Sequence, residues 1–576
     1  MSKSYSEWST EDLIKEIKQL KKRKKFGLVW EDKPEDVAEM CKTQLPILKE
    51  VRENAIEGNA KDVTNILIEG DNYHSLSVLS YTHPKAVDVI FIDPPYNTGN
   101  HTWKYNNKFV DDEDTYRHSK WLSFMAKRLR LAKKLLKNDG ILIATIDDYE
   151  IHTLGLLLDQ IFGENNRLAN VSVMNKKSGR TTDKFFATCH EYYLFYAKDA
   201  EKAKINLMST SADDLNQYKL SDETGPYKWR DFLRTGGYST PEERPNSYYP
   251  IYFDQKNNEI ITQKKANYIE VLPIDSKGNK RVWRQTIPSL EKLVARGDIK
   301  VELVRGNYKV RIKDRPKDGV KPKTVWDSPK YDAATHGTKL LESILGEARS
   351  FDFPKSLYAV HDALKITLEH KKEATVLDFF AGSGTTGHAT LLLNKEDGGS
   401  RKFILCTNNE DNNDSGKGIA ESICYPRIKK VMKGYQHNKK SVEGLGGSLK
   451  YFKTDFVDQV VTDNDKREFV SHSTDMLCLA EDTFIPVAFK KNQYAIFSGN
   501  GRTTGIVYDE DYLSDFKKEI SKNDAPLVVY VFSYDNNYDE DDFSELHKLV
   551  KVKPVPASIL NVYARIVRES AKKINL

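Results

Sequence analysis

The chain has 576 residues but no apolar run of about eighteen, the length a membrane-spanning helix needs. Its N-terminus, Met1 to Trp8, has no apolar secretion signal. Five cysteines (Cys41, Cys189, Cys406, Cys424 and Cys478) are scattered, and no Cys-x-x-Cys occurs. A zinc site and a secreted disulfide framework are therefore not expected, and no metal is assigned. These absences fit a cytoplasmic protein. Charge of one sign is also missing: 89 Lys and Arg face 84 Asp and Glu, a net +5, too balanced to argue for nucleic acid by itself. There are no internal repeats.

What is present is enough apolar surface for several domains, with 39% hydrophobic and 11% aromatic residues. Val87 to Ile92 is an apolar run that predicts a buried strand. Asp93-Pro94-Pro95-Tyr96 follows it. Two prolines donate no ladder hydrogen bonds and restrict the residue before them, so the strand ends there. The outcome is a carboxylate, stiff backbone carbonyls and an aromatic ring at a strand's carboxyl end, where open α/β sheets bind ligands. This set suits an exocyclic amine. The Asp93 carboxylate and the Pro94 carbonyl can accept its two N–H bonds while Tyr96 stacks on the base. An ordinary Pro-Pro turn is the alternative.

A second motif lies between Ala374 and Ala389. Val376 to Phe380 predicts a short strand, Gly382-Ser383-Gly384 a tight turn, and His388 to Asn394 a helix. A glycine pair between strand and helix lets backbone approach a ligand closely. No Gly-Lys-Ser/Thr follows, which excludes the phosphate loop of nucleotide triphosphatases.

In this order the two motifs resemble those of the β group of adenine-N6 DNA methyltransferases, which use S-adenosylmethionine. Their separation, 378 − 93 = 285 residues, leaves room for a DNA-reading insertion. Further stretches are similar to the modification subunits of type III restriction-modification systems. They are Gly70-Asp71-Asn72, Asp93 to Gly99, Arg244-Pro245-Asn246, Tyr248 to Ile251, Gly337-Thr338-Lys339, and Asp378 through Glu410 to Tyr425-Pro426-Arg427. The resemblance covers most of the chain from about Gly27 to Asp458. It implies an α/β fold: a circularly permuted, Rossmann-like methyltransferase core with an inserted target-recognition domain and a small C-terminal α/β domain.

The resemblance also implies the site. Asp93, Pro94, Pro95 and Tyr96 form the catalytic set. Asp71, Asn72, Asp93, Thr338, Lys339, Asp378, Phe379, Ala381, Gly382, Gly384, Thr385 and Glu410 surround the cofactor. Asp71 matches a position near the cofactor's adenine, which is compatible with a helix N-cap. Thr338 and Lys339 match the segment that closes over the methionine end. Glu410, just past a strand at Phe403 to Thr407, holds the ribose, with Asn408 and Asn409 as alternatives. Family members often show Lys-Pro where this chain has Lys355-Ser356. Aspartate rather than serine at position 93 resembles adenine-N6 more than cytosine-N4 enzymes. No cysteine follows a proline as in cytosine-C5 enzymes, so no covalent intermediate is expected.

Five segments are expected: a helical arm over 1–60, the catalytic part of the core over 61–198, a recognition domain over 199–323, the cofactor part of the core over 324–458, and a C-terminal domain over 459–576. The arm begins with a helix start at Ser9, and its basic stretch Lys15 to Lys25 reads as a solvated helix face. Strands are expected at Ile66 to Glu69, Ile141 to Ile146, Tyr192 to Tyr196, Lys309 to Ile312 and Leu527 to Phe532. Helices are expected at Tyr73 to Tyr81, Trp121 to Leu136 and Ser558 to Lys572. Lys176, Lys177 and Arg180, mixed with small residues, suit a phosphate backbone, and Arg230 and Arg234 are further DNA candidates. The implied partners are duplex DNA, a second copy of the chain, and a separate helicase/nuclease restriction subunit, because the chain itself carries no helicase motif or evident nuclease motif. The C-terminal segment serves either subunit contacts or as a structural cap. Two other functions compete. A non-enzymatic recognition subunit is opposed by the intact Asp93, Tyr96 and Gly382-x-Gly384, and an RNA adenine methyltransferase by the long insertion.

Overall fold

Val87–Ile92 is buried at all six positions. A strand apolar on both faces needs partners at both edges and helices above and below. It lies near the middle of a ten-stranded sheet. The computed structural model describes residues 9–14, 30–31, 33–59, 63–105, 108–111, 114–181, 183–208, 215–348, 351–409, 418–437, 440–534, 538, 540–546 and 550–571.

The strands of this sheet are β1 (Gln44–Glu50), β2 (Thr64–Glu69), β3 (Val87–Ile92), β4 (Leu136–Ile146), β5 (Arg167–Val173), β6 (Glu191–Ala197), β7 (Val325–Trp326), β8 (Thr375–Asp378), β9 (Lys402–Thr407) and β10 (Ser448–Asp458). Their order is β1-β10-β2-β9-β8-β3-β4-β6-β5-β7. From β10 to β4 every pairing is parallel. β6 then lies antiparallel to both β4 and β5, and β1 antiparallel to β10. Helices α1 (Asn72–Thr82), α2 (Arg117–Leu135), α3 (Ile151–Phe162), α4 (Leu357–Leu368) and α5 (Thr385–Asp397) supply the crossovers that parallel pairing requires. The centre of the sheet joins two distant parts of the chain, with Val89 in β3 opposite Val376 in β8.

The structure corrects the expected organisation in three places. First, the N-terminal segment is not wholly helical. Residues 10–14 form a helical turn, with the Ser9 hydroxyl accepting from the Asp12 amide at 3.1 Å, and Lys15 to Lys25 lie outside the described residues. Gln44–Glu50, however, is the edge strand β1, because Leu45, Ile47 and Leu48 are buried against the core. Second, α3 and β5 arise where no element was expected. Third, residues 459–576 do not separate from the core. They carry a five-stranded sheet, β11 (Ile485–Lys490), β12 (Tyr494–Gly499), β13 (Arg502–Val507), β14 (Leu527–Phe532) and β15 (Val550–Val555), followed by α6 (Ala557–Ala571). The Tyr563 hydroxyl on α6 donates to the Pro46 carbonyl of β1 at 2.6 Å. Phe469, Met476 and Tyr563 share one hydrophobic cluster with Leu76 of α1 and Ile47 of β1.

The chain divides into two compact units, 1–206 with 323–576, and Leu207–Pro322. Residues 199–206 stay with the first: the Asn206 amide donates to the Ile366 carbonyl at 2.7 Å. The second unit is a mixed α/β body. It has a four-stranded antiparallel sheet containing Gly225–Asp231 and Asn307–Asp314, a three-stranded sheet around Ile251–Asp254, and the helix Ile287–Ala295. Its own core includes Phe232 stacked on Trp283, Leu290 and Val310. Its ends lie side by side, with Met208 bridging Val320. Among the described residues no helix is long and apolar enough to cross a membrane.

Candidate active site

Because β3 and β8 are parallel neighbours, Asp93-Pro94-Pro95-Tyr96 and the glycine turn emerge side by side at the carboxyl edge of the sheet. The Asp93 carboxylate is held from two directions. The Thr145 hydroxyl of β4 donates to its Oδ1 at 2.6 Å, and Lys355 Nζ lies 2.9 Å from the same oxygen. Lys355 also reaches Glu191 Oε2 at 3.0 Å, donates to the Tyr96 hydroxyl at 2.6 Å, and sits 4.6 Å from the centre of the Tyr96 ring. Burial disfavours the ammonium, but the Asp93 and Glu191 carboxylates outweigh it, and the Lys355 pKa rises above its ordinary value. The Tyr96 hydroxyl donates to Glu191 at 2.9 Å. Its pKa is pushed well above 10, by burial first and then by Asp93 and Glu191.

The backbone of the motif is fixed as well. Trp121 Nε1 donates to the Pro95 carbonyl at 2.7 Å. Asn97 follows in the left-handed region, φ 56°, and donates to Glu150 Oε1 at 2.5 Å. Glu150 is fully buried, and the same oxygen lies 2.6 Å from His118 Nδ1. A buried carboxylate with these partners is satisfied and rigid.

The second cluster is the turn after β8. Asp378 is buried with both oxygens engaged. Oδ1 accepts from the Phe380 amide at 2.9 Å and Oδ2 from the Thr386 hydroxyl at 2.6 Å, so one side chain ties the start of the turn to the start of α5. Burial raises its pKa from 3.8 to about 7, and nearby Asp93 adds to the rise. Gly382 and Gly384 both have left-handed backbone, φ 48° and 78°, a region costly for other residues. A Cβ on Gly384 would come within 3.1 Å of Cys424 Sγ. The Ala381 amide donates to the Cys406 carbonyl of β9. Behind the turn, buried Arg427 donates to Ser383 Oγ at 3.0 Å and Thr385 Oγ1 at 2.8 Å, and burial lowers its pKa to about 10.

Two other predicted segments join these clusters. Asp71 caps α1, accepting from the Tyr73 amide at 2.7 Å. Asn72 Nδ2 donates to the Phe379 carbonyl at 2.9 Å, while its Oδ1 accepts from buried Arg128. Thr338 ends a π-helical turn, Ala334–Thr338, and Lys339 opens the next helix. The preceding Gly337 is pressed on the Lys355 segment, where a Cβ would meet the Pro354 carbonyl at 2.3 Å. Glu410 lies outside the described residues. Lys176, Lys177 and Arg180 are exposed between β5 and β6. In the second unit, Arg230 pairs with Asp314 at 3.4 Å, and Arg234 donates to the Gly237 carbonyl at 3.0 Å.

Thr145, Glu191 and Lys355 were not among the expected site residues. Thr145 interrupts one apolar run, before Ile146, and Glu191 opens another, so each offered a weak polar signal. Lys355 was noted only as a departure from Lys-Pro, yet its side chain is the centre of the cluster.

The sequence relationships agree with this geometry. Residues 87–418 match the N6/N4 methyltransferase family model, described as DNA methylase. The type II methyltransferase M.KpnI of Klebsiella pneumoniae is 37% identical over 342 residues, 59% of this chain and 79% of that protein. The type III restriction-modification enzyme EcoPI Mod subunit of Escherichia phage P1 is 32% identical over 387 residues, 61% of this chain and 58% of the Mod subunit. The StyLTI Mod subunit of Salmonella typhimurium is 32% identical over 422 residues, 67% and 59% of the two chains. The chain thus spans less than two thirds of either Mod subunit's length. A solved PvuII DNA methyltransferase (cytosine-N4-specific) is 12% identical with a TM-score of 0.30, covering 65% of this chain and 95% of that one, a likeness too weak to bear on the site. The chain belongs to the N6/N4 DNA methylase family. It is a DNA methyltransferase.

Proposed function

We propose that this protein methylates the N6 amine of adenine in duplex DNA with S-adenosylmethionine as donor, and that it is the modification and recognition subunit of a type III restriction-modification system. The observation that carries the reading is the Asp93 carboxylate, fixed by Thr145 at the end of β3, beside the glycine turn that ends β8. A circularly permuted core is part of the reading. It is supported by chain order, since the strand bearing Asp93 precedes the strand bearing the glycine turn by 285 residues and yet adjoins it.

The residues fit this donor. The turn at Gly382 and Gly384, both in left-handed backbone, offers main chain at the carboxyl edge of the sheet. Asn72 bonds the Phe379 carbonyl and Asp71 caps the same helix, Ala381 and Thr385 belong to the turn, Thr338 and Lys339 follow Gly337, which packs on the Lys355 segment, and Glu410 is assigned to the ribose. The bound sulfonium supplies an electrophilic methyl group. The chain's own residues prepare the acceptor. An adenine must leave the duplex to reach them. Asp93 accepts one N–H of its amine and the Pro94 carbonyl accepts the other, since the Pro95 carbonyl is held by Trp121. These two bonds favour a tetrahedral nitrogen with its lone pair free for in-line attack. Tyr96, its hydroxyl anchored by Glu191, offers its ring for stacking. The Lys355 ammonium holds the amine's place at Asp93, and Glu191 retains it when the amine arrives.

The reading includes a homodimer and a separate nuclease subunit; the second is supported by relatives named as Mod subunits of type III restriction-modification enzymes. M.KpnI, at 37% identity, favours a type II role as the second reading. Mapping methylated bases in DNA from cells expressing the chain decides between them. N6-methyladenine on one strand of an asymmetric site is expected, the same mark on both strands of a symmetric site would favour type II, and N4-methylcytosine would refute the adenine assignment. Asp93→Ala should abolish transfer while S-adenosylmethionine affinity stays within a few-fold. Turnover above about a tenth of the native value would remove Asp93 from this role.

A further inference from the structure

Among the described residues with large apolar side chains, Phe186 (90% exposed) and Phe185 (84%) are, with Phe353 (85%), the most exposed. A single exposed phenylalanine needs no explanation, but two consecutive ones at the tip of a loop whose base is hydrogen-bonded do. The loop runs from β5 to β6. Its base is laddered, with the Lys176 amide donating to the Cys189 carbonyl at 3.1 Å and the Arg180 amide to the Thr188 carbonyl at 2.9 Å. Asp183 Oδ2 accepts from the Thr188 amide at 2.8 Å and closes the tip. Gly179 is packed so tightly on Ala187 that a Cβ there would lie 2.6 Å from Ala187 Cβ. The two rings are therefore presented by a braced hairpin.

Its position and charge say what it meets. The loop returns into β6 at Glu191, the carboxylate that holds Lys355 and Tyr96. Phe186 is five residues from it, roughly 17 Å at full extension. Arg180 lies close enough to Asp147, just past the end of β4, to lower its pKa, although burial still raises it to about 6. The cations of the segment are Lys176, Lys177, Arg180 and Lys184, against the single acid Asp183, whose carboxylate is used in closing the tip. All four cations are exposed. An apolar tip ringed by cations suits a duplex, with base faces inside and phosphates outside.

We propose that the Phe185-Phe186 tip enters the duplex beside the target and stacks in the space the extruded base leaves, with Lys176, Lys177, Arg180 and Lys184 on the flanking phosphates. The inference rests on the reading of the site as one that methylates an extruded adenine. It assigns the step of extrusion to a loop outside the catalytic motifs.

The test compares two duplexes carrying the mapped recognition site, one with the target adenine paired and one with it opposite an abasic position, where it is already unpaired. The double variant Phe185→Ala/Phe186→Ala should lose roughly tenfold or more in kcat/KM on the paired duplex, the size of one lost base–aromatic stack. It should lose less than about twofold on the abasic duplex, and its thermal midpoint should match the native protein because both rings are exposed. Phe186→Trp should keep the activity. Equal loss on both duplexes, or no loss on either, would overturn the proposal. If the native enzyme methylates neither duplex at adenine, the functional reading fails instead, and that outcome is read before any variant is made.

Discussion

At the residue scale the site turns on one ammonium between two carboxylates. Lys355 lies within 3.0 Å of both Asp93 and Glu191, so removing it leaves two acids facing each other without a counter-charge. Such a pair takes up a shared proton more readily. In Lys355→Met the acid limb of the pH profile of kcat/KM should therefore move to higher pH, while Lys355→Arg should restore part of the native profile. A profile that drops uniformly without moving would mean that the lysine serves only packing. Asp378 gives a prediction on stability. Its folded pKa of about 7 lies above the ordinary 3.8, so between these values the folded chain binds a proton that the unfolded chain has released. Its contribution must then fall as pH rises from about 4 to 7, by at most ~1.4 kcal/mol per pH unit. Asp378→Asn lacks the titration and should gain on the native protein across that window and not above it. Denaturant melts of the cofactor-free protein at pH 4, 5.5 and 7 check the sign. The Asp93 side of this site was legible, because Asp-Pro-Pro-Tyr after an apolar run is local information. Lys355 was not, since its meaning comes from a partner 355 − 93 = 262 residues away and from a side chain whose neighbour in sequence, Ser356, breaks the expected pair.

At the element scale, legibility followed how far each segment's own pattern dictated its state. Val87–Ile92 and Leu527–Phe532 form the expected strands, short β-branched and aromatic runs buried in their sheets, with Asp88 in the first paired to Lys137 and Lys371. Arg117–Leu135 begins four residues before the expected Trp121, because the residues ahead of the apolar stripe carry no pattern that marks the start. The strand β7 has two residues and is defined by its partner β5 alone, so no periodicity could reveal it. β1 escaped notice because its pairing partner is the last strand of the sheet. One contact between elements is open to a sharp test. Gly337 lies against the Pro354 carbonyl without room for a Cβ. Gly337→Ala should push the Ala334–Thr338 turn away from the Lys355 segment, at a cost of roughly 1–3 kcal/mol in stability. Turnover should fall further than DNA affinity. Thermal melting with single-turnover assays measures both, and an unchanged melting point would mean the turn relaxes freely.

At the scale of the whole molecule the two units invite different interventions. Leu207–Pro322 has its own core and paired ends. Exchanging it for the corresponding unit of a relative should change which site is methylated and leave S-adenosylmethionine affinity within a few-fold. An active exchange variant with an unchanged site would dissociate this unit from sequence choice. Its presence was legible as a break in the α/β rhythm, whereas its boundaries depended on contacts such as Asn206 with Ile366. The C-terminal segment was legible in its elements, the strand Leu527–Phe532 and the helix Ala557–Ala571, but not in how it packs. Its attachment to the first strand comes from distant contacts, Tyr563 on the Pro46 carbonyl and Asp475 accepting from the Glu50 amide at 2.9 Å. The sheet's seam also sets a timetable for synthesis. Val89 waits for Val376, 376 − 89 = 287 residues later, which at common ribosomal speeds is roughly 15–60 s. Through that interval the half bearing Asp93 exists without the half bearing the glycine turn. A nascent chain therefore carries the acceptor machinery with no donor site beside it, and a ribosome that stalls before β8 releases a fragment unable to mark DNA.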